Sequence, residues 1–103
     1  MQSKIRVEVQ HFEGCPNGPV MLGNVLKAIS NFGNQVEFVE THIETPEDAI
    51  TNKFRGSPTL LINGADFENM PEPPEPRLSC RFYPNGVPPV ERITERIRSL
   101  TGK

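Results

Sequence analysis

Two cysteines, Cys15 and Cys80, carry the side chains of this sequence that are best suited to covalent chemistry. Two thiols are too few for a disulfide scaffold and too few for a zinc site built from thiolates alone. They leave three interpretations: inert thiols in the core, one reactive thiol, or a redox pair. Because the two residues lie far apart in the sequence, only the fold could bring them together as a pair.

Cys15 lies in a turn between an apolar, strand-like stretch and the pattern of an amphipathic helix. Unpaired backbone N–H groups at the start of a helix stabilise a thiolate, so this placement can lower the pKa of the thiol. Asn17 could instead cap the helix and leave Cys15 just outside it, and the carboxylate of Glu13 would oppose ionisation. The alternative interpretation is a small turn residue without reactivity.

Alternating or β-branched apolar residues predict four strands, over residues 5–12, 36–43, 59–62 and 78–83. The dipeptide Asn63-Gly64 is a strong turn signal that ends the third strand. Residues 65–77 are predicted to form an extended loop, whose MPEPPEP stretch favours a polyproline-like conformation.

Three helices are predicted around these strands. The second helix has the clearest start signal, because Thr45 and Asp48 have the spacing of a capping box and Pro46 stands at the first helical position. The first and last helices are predicted from apolar stripes at helical spacing: Leu22, Val25, Leu26 and Ile29, and then Val90, Ile93, Ile97 and Leu100. The order β-α-β-α-β-β-α predicts an α/β fold, a mixed four-stranded sheet with helices on both faces. Strands joined by helices are expected to run parallel, and the last two strands antiparallel.

The position of Cys80 in the fourth predicted strand leaves two alternatives. Alternation would place it on one face with Leu78 and Phe82, which favours a buried thiol in the core. If the fourth strand lies beside the third, Cys80 could instead approach Cys15 and act as its redox partner.

The turn Gly14-Cys15-Pro16-Asn17-Gly18 and the tripeptide Ser57-Pro58-Thr59 resemble the active-site turn and the cis-proline loop of the thioredoxin-like superfamily. The segments GSPTLLINGADF and LSCRFY are similar to those of small bacterial thioredoxin-like proteins with a single-cysteine turn. The resemblance implies that Cys15 is the nucleophile, with Pro16, Asn17 and Gly18 at the helix N-terminus near the thiol. It also implies a cis bond before Pro58, with Ser57, Pro58 and Thr59 binding an extended substrate through free backbone groups.

Two positions depart from the thioredoxin pattern. Gly18 stands where thioredoxins have their second cysteine, and Val9 stands where they often have a buried carboxylate. The usual Cys-x-x-Cys dithiol is therefore absent from this sequence.

The leading functional hypothesis is a thiol–disulfide oxidoreductase or thiol redox protein, with Cys15 as nucleophile and either Cys80 or an outside thiol as the resolving group. Its partner would be a protein or a small molecule that carries a thiol or a disulfide. One alternative is a non-enzymatic adaptor that binds a protein partner. Another is a soft-metal site made of Cys15, Cys80 and a histidine such as His11. The leading hypothesis requires neither a cofactor nor a metal, and the oligomeric state is left open.

The composition limits the number of domains and the kinds of partner. The chain has 103 residues, 35% hydrophobic and 23% charged, so we expect residues 1–103 to form one domain. A net charge of −2 argues against a nucleic-acid groove. No apolar run approaches the roughly 20 residues of a membrane span. The first residues contain no apolar export segment, so we expect a cytoplasmic, reducing environment.

Overall fold

The computed structural model describes residues 4–101. Its elements follow in the order β1 (Ile5–His11), α1 (Asn17–Ile29), β2 (Val36–His42), α2 (Pro46–Thr51), β3 (Thr59–Ile62), β4 (Ala65–Asp66) and α3 (Val90–Leu100). A short 3₁₀ turn, Gly33–Gln35, precedes β2. The order β-α-β-α-β-β-α is confirmed.

The strands form one mixed sheet in the order β2-β1-β3-β4. β1 and β2 are parallel, and their register places His11 directly opposite His42. β3 runs antiparallel to β1, so the prediction of a parallel third strand is wrong. The reason is the length of α2, because its six residues rise only about 9 Å, against about 23 Å for a strand of seven. The chain therefore re-enters the sheet near the end at which β2 stops.

The fourth strand is present but not where the sequence pattern placed it. Asn63 and Gly64 have φ values of 53° and 82°, so they close a tight hairpin in which Ile62 pairs with Ala65. A turn with two positive φ values brings the next two residues back alongside β3 at once. Ala65–Asp66 is therefore β4, and the predicted strand at 78–83 reduces to one isolated bridge between Cys80 and Ser57.

The larger core lies between one face of the sheet and the helices α1 and α3. Val7, Val9, Leu60 and Ile62 face Met21, Val25, Ala28, Ile93 and Ile97 in one cluster. The predicted stripe of α1 is rotated in the structure, because Met21 and Ala28 are buried whereas Leu26 is exposed. This cluster fixes the direction in which α1 leaves the turn that carries Cys15.

The helix α2 belongs to a second, smaller cluster of Ile43, Ala49 and Phe54, against which Phe12 packs. Its capping box is confirmed: the Asp48 N–H donates to the Thr45 hydroxyl, and the Asp48 carboxylate accepts from the Thr45 N–H. Ile43 follows His42, so strand alternation directs it to the face opposite α1 and α3. In the described part of the chain, no helix has the length and apolar character needed to cross a bilayer.

Candidate active site

Cys15 stands at the junction of β1 and α1. α1 begins at Asn17 without a side-chain cap, so its first N–H groups are not satisfied by a capping side chain. The Cys15 side chain is directed inward, and the residue is only 5% exposed. Its sulfur lies 3.3 Å from the carbonyl oxygen of Ser57, to which the thiol donates a hydrogen bond. The thiol predicted as the nucleophile thus contacts the predicted cis-proline loop.

The surroundings of Cys15 favour its thiolate. Burial alone would raise the pKa of this thiol, but four neighbouring groups outweigh that cost and hold the pKa below its usual value. The groups that favour the thiolate are the Ser57 side chain, the backbone N–H groups of Asn17 and Gly18, and the Cys80 thiol. Two of these groups belong to the first turn of α1, as the placement of Cys15 at a helix start predicts.

The peptide bond between Ser57 and Pro58 is cis. Ser57 also ties this loop to the end of β1, because its hydroxyl accepts a hydrogen bond of 3.2 Å from the Phe12 N–H. The expectation that the Ser57 backbone groups are free for a substrate is not met. The Ser57 N–H donates to the Ser79 carbonyl at 2.8 Å, and the Ser57 carbonyl accepts from the Arg81 N–H at 2.9 Å. The chain's own segment 79–81 already pairs with the loop.

Cys80 lies in that segment, directly paired with Ser57. Its thiol is close enough to Cys15 for the two groups to shift each other's pKa, so the fold brings together two residues that no local motif connects. Slight burial, the charge of a Cys15 thiolate and the interaction between the two side chains all raise the pKa of Cys80. Both cysteines are free thiols in this structure.

The alternative of a core position for Cys80 is wrong, because Cys80 is exposed. Its predicted face partners are exposed as well, Leu78 at 40% and Phe82 at 84%. The buried residue of the segment is Arg81, whose guanidinium donates two hydrogen bonds to Asp66, at 2.7 and 2.9 Å. This ion pair orients the segment so that the apolar side chains face outward.

Two further contacts hold the segment against the proline loop. The Tyr83 hydroxyl donates to the Pro58 carbonyl at 2.6 Å. Gly56 has a φ of 109°, and a Cβ there would lie 2.9 Å from the Cβ of Arg81, so only glycine allows this approach. Sequence reasoning missed the roles of Asp66, Arg81 and Gly56. The available signal was a charged residue, Arg81, inside a stretch interpreted as a half-buried strand.

The side chains of Arg81 and Arg55 are both engaged inside the molecule. The Arg55 Nε donates to the Met70 carbonyl at 2.9 Å and lies 3.9 Å from the Asp66 carboxylate. A neighbouring contact of 3.8 Å joins Arg55 to Glu72. These arginines therefore anchor the loop after β4.

An open groove of about 1000 Å³ lies beside Cys15. Its walls are partly apolar and partly acidic, and the lining residues include Glu13 and Glu44 but neither lysine nor arginine: His11, Phe12, Glu13, Gly14, Cys15, Pro19, Leu22, His42, Ile43, Glu44 and Leu78. The groove therefore favours apolar or cationic groups over anions.

His11 is drawn toward β2 rather than toward the thiols. Its Nε2 lies 2.9 Å from the Oε2 of Glu40, and the Nε2 of His42 lies 3.3 Å from the same oxygen. Within residues 4–101, His11, Glu40 and His42 form the one cluster whose donor atoms could converge on an ion. The sequence had grouped His11 with Cys15 and Cys80 instead.

No family model matches the sequence, and no curated protein matches it either. Among solved structures, chloroplastic thioredoxin z matches 99% of this chain and 82% of its own, with a TM-score of 0.67 and 15% sequence identity. Thioredoxin-2 of a malaria parasite, described as a component of protein secretion machinery, matches 96% of this chain and 85% of its own, with a TM-score of 0.62 and 11% identity. These likenesses show that the chain has a thioredoxin-like fold.

Proposed function

We propose that this protein is a thiol redox protein in which Cys15 is the nucleophile and Cys80 is the resolving thiol. The observation that carries the proposal is the contact of both cysteines with Ser57: Cys15 hydrogen bonds to its carbonyl, and Cys80 pairs with it across a strand-like bridge. The opposite directions of the two pKa shifts support the division of roles. A thiolate attacks, whereas a thiol of raised pKa remains protonated until the second step.

The proposed reaction is the reduction of a disulfide. The Cys15 thiolate attacks one sulfur of the substrate, which forms a mixed disulfide and releases the other substrate sulfur as a thiolate. Cys80 then gives up its proton, and its thiolate attacks the Cys15 sulfur. That step releases the second substrate thiol and leaves a Cys15–Cys80 disulfide. Two electrons pass to the substrate, and an external thiol must return them before the next cycle.

Access to Cys15 requires the segment 79–81 to move. Cys15 is 5% exposed, whereas the Leu78 and Phe82 side chains around Cys80 face solvent. An extended substrate would replace this segment at Ser57, beside Pro58 and Thr59, by the same backbone pairing. We propose a thiol- or disulfide-bearing protein or small molecule as the partner, in a reducing compartment such as the cytoplasm. Because no lysine or arginine lines the groove among the described residues, it offers no permanently charged partner to the carboxylates of glutathione.

The proposal is tested by equilibrating the protein in a thiol–disulfide redox buffer and mapping its bonds by mass spectrometry of non-reduced peptides. We expect a Cys15–Cys80 peptide that appears over a defined range of potential. Cys15→Ser should abolish both this bond and the reduction of a small aromatic disulfide. Cys80→Ser should retain the first step and accumulate a mixed disulfide on Cys15.

An adaptor with bystander thiols makes the opposite prediction. It would capture its protein partner equally well with Cys15→Ser, and neither cysteine would form a bond within the buffered range. If both thiols stay reduced and unmodified while the fold is intact, the redox proposal is wrong.

A further inference from the structure

We propose that His11, Glu40 and His42 form a binding site for a divalent first-row cation such as Zn²⁺, beside the groove that holds Cys15. The two imidazoles and the carboxylate belong to neighbouring strands, β1 and β2. Nitrogen and oxygen donors of this kind suit zinc and its neighbours in the first transition row. This site is independent of the proposed thiol chemistry.

The strand register explains why the three side chains meet. His11 is the partner of His42 in the parallel ladder, so both side chains point to the same face of the sheet. Glu40 lies two residues before His42 and therefore shares that face as well. The convergence is thus a property of two paired strands rather than of a loop, which makes the arrangement a rigid one.

The distances fit a tetrahedral ion. Ligand bonds of about 2.1 Å at tetrahedral angles separate neighbouring donor atoms by about 3.4 Å. The Glu40 Oε2 lies 2.9 Å from the His11 Nε2 and 3.3 Å from the His42 Nε2. All three donor atoms lie within 4.8 Å of one another, so rotation of the two side chains that are more exposed brings the set onto one ion.

The surroundings favour a cation and leave room for a fourth ligand. Glu13 and Glu44 also line the groove, and no lysine or arginine stands among the described residues that line it. The His11 side chain is 13% exposed and that of His42 is 55% exposed, so the ion would be anchored on one side and open to the groove on the other. Three protein ligands and one open position leave a site for water or for a small ligand lying in the groove.

The test is a Zn²⁺ titration against a competing chromogenic chelator, performed on the wild-type protein and on the Cys15→Ser/Cys80→Ser variant. We expect one equivalent of Zn²⁺ to bind in both, because neither thiol is a ligand. In the double-serine background, His42→Ala and Glu40→Gln should each weaken binding by about tenfold or more, since each removes a ligand. Glu37→Gln is the matched control, because it changes charge equally on the same strand but on the other face, and it should leave the affinity unchanged.

Loss of binding in the double-serine variant would assign the metal to the thiols and overturn the proposal. Equal affinity in Glu40→Gln and Glu37→Gln would do the same. If the double-serine variant does not fold, NMR of the wild-type protein decides, because the chain has only two histidines. Zn²⁺ must then shift the imidazole resonances of both His11 and His42 at one equivalent, and unmoved resonances would show that the cluster is only a hydrogen-bonded one.

Discussion

Ser57 and Cys80 face each other in a parallel β-bridge, although 22 residues of the chain lie between them. This relationship puts the second thiol where an extended substrate would otherwise pair with the proline loop. In the proposed reaction, Cys80 would take the part of the second cysteine of a Cys-x-x-Cys motif from a distant segment of the chain. The chemistry of the site therefore depends on whatever holds residues 79–81 in place.

The first prediction concerns the effect of the Cys80 thiol on the pKa of Cys15. Cys80→Ala removes a group that lowers the pKa of Cys15, so the pKa of the remaining thiol should rise toward its usual value. Cys80→Ser keeps a hydroxyl donor at that position and should restore the lowered pKa. The measurement is the ultraviolet absorbance of the thiolate as a function of pH, which reports Cys15 alone in both variants. Identical titrations of the alanine and serine variants would show that the two side chains do not interact.

The second prediction concerns the buried ion pair of Asp66 and Arg81. Burial would raise the pKa of Asp66, but hydrogen bonds from Arg81 and from the N–H groups of Met70 and Glu68 outweigh it and lower the pKa. Asp66→Asn leaves the Arg81 charge buried without its partner, which should cost about 3–5 kcal/mol in the free energy of unfolding at neutral pH. The measurement is the free energy of unfolding in urea. In a separate assay without urea, Cys15 should be alkylated faster in Asp66→Asn, because the segment 79–81 is held less firmly.

The pH dependence of that difference has a defined sign. A carboxyl group with a lowered folded-state pKa stabilises the fold above its unfolded pKa, and the stabilisation is lost as the pH falls through the folded value. The gap between wild type and Asp66→Asn should therefore be constant from neutral pH to about pH 4 and shrink below it. Glu95→Gln, which removes the exposed Arg98–Glu95 pair, should cost less than about 1 kcal/mol. Equal losses in the two variants would contradict a buried, anchoring role for Asp66.

The third prediction uses Gly56 to separate crowding from backbone strain. Gly56 and Gly86 both have positive φ, but only at Gly56 would a Cβ meet another residue, at 2.9 Å from the Arg81 Cβ. Each alanine substitution strains the backbone by about 1–3 kcal/mol. Gly56→Ala should lose more stability than Gly86→Ala and should also prevent formation of the Cys15–Cys80 disulfide. If Gly56→Ala forms that disulfide as readily as Gly86→Ala does, the close approach is not required.

The fourth prediction concerns the phenol of Tyr83. Burial raises the pKa of Tyr83 to about 12, with smaller contributions from neighbouring charges. The chain has one tyrosine and no tryptophan, so the phenolate absorbance reports this group alone. The stability that the neutral phenol contributes is fully present below its unfolded pKa of about 10. It is then lost as the pH rises through the folded value.

The measurement is a spectroscopic titration of the folded protein and of the protein in urea. The folded midpoint should lie near 12, and the unfolded midpoint near the ordinary value of about 10. Tyr83→Phe removes the hydrogen bond to Pro58 and should lower the free energy of unfolding by about 1 kcal/mol. A folded midpoint at the ordinary value would show that Tyr83 does not anchor the segment.

Local patterns in this sequence predicted local structure well. The capping box at Thr45 and Asp48 is present because its hydrogen bonds connect residues three apart and need no tertiary partner. The order of strands and helices was also predicted correctly, because it too depends on the local spacing of apolar residues. The stripe of α1 is rotated, because the core buries Met21 and Ala28 completely, whereas Leu22 is only partly buried against it and Leu26 is exposed.

Contacts between residues far apart in the sequence could not be predicted from the local spacing of apolar and polar residues. Alternation alone assigned Cys80 to the core, whereas the attraction between Arg81 and Asp66 buries the other face of the segment. The cluster of His11, Glu40 and His42 depends on the register of β1 and β2, which no spacing within either strand reveals. The position of Cys15 between a predicted strand and a predicted helix did single it out, whereas the cis bond before Pro58 was implied only by the thioredoxin-like resemblance.

The fifth prediction concerns Gly18, the position at which thioredoxins have their second cysteine. A Cβ at Gly18 would lie 3.4 Å from the Nδ1 of His11, an ordinary contact, and the backbone there has no positive φ. Gly18→Cys in a Cys80→Ser background should therefore fold and recover the intramolecular disulfide that Cys80→Ser alone cannot form. Non-reduced peptide mapping identifies the bond, and Gly23→Cys in the same background is the control, since that position on α1 is open to solvent. If neither variant forms a disulfide, the Cys15 sulfur is held too firmly against Ser57 to bond with a cysteine in the first turns of α1. The proposed second thiol could then come only from the segment around Cys80.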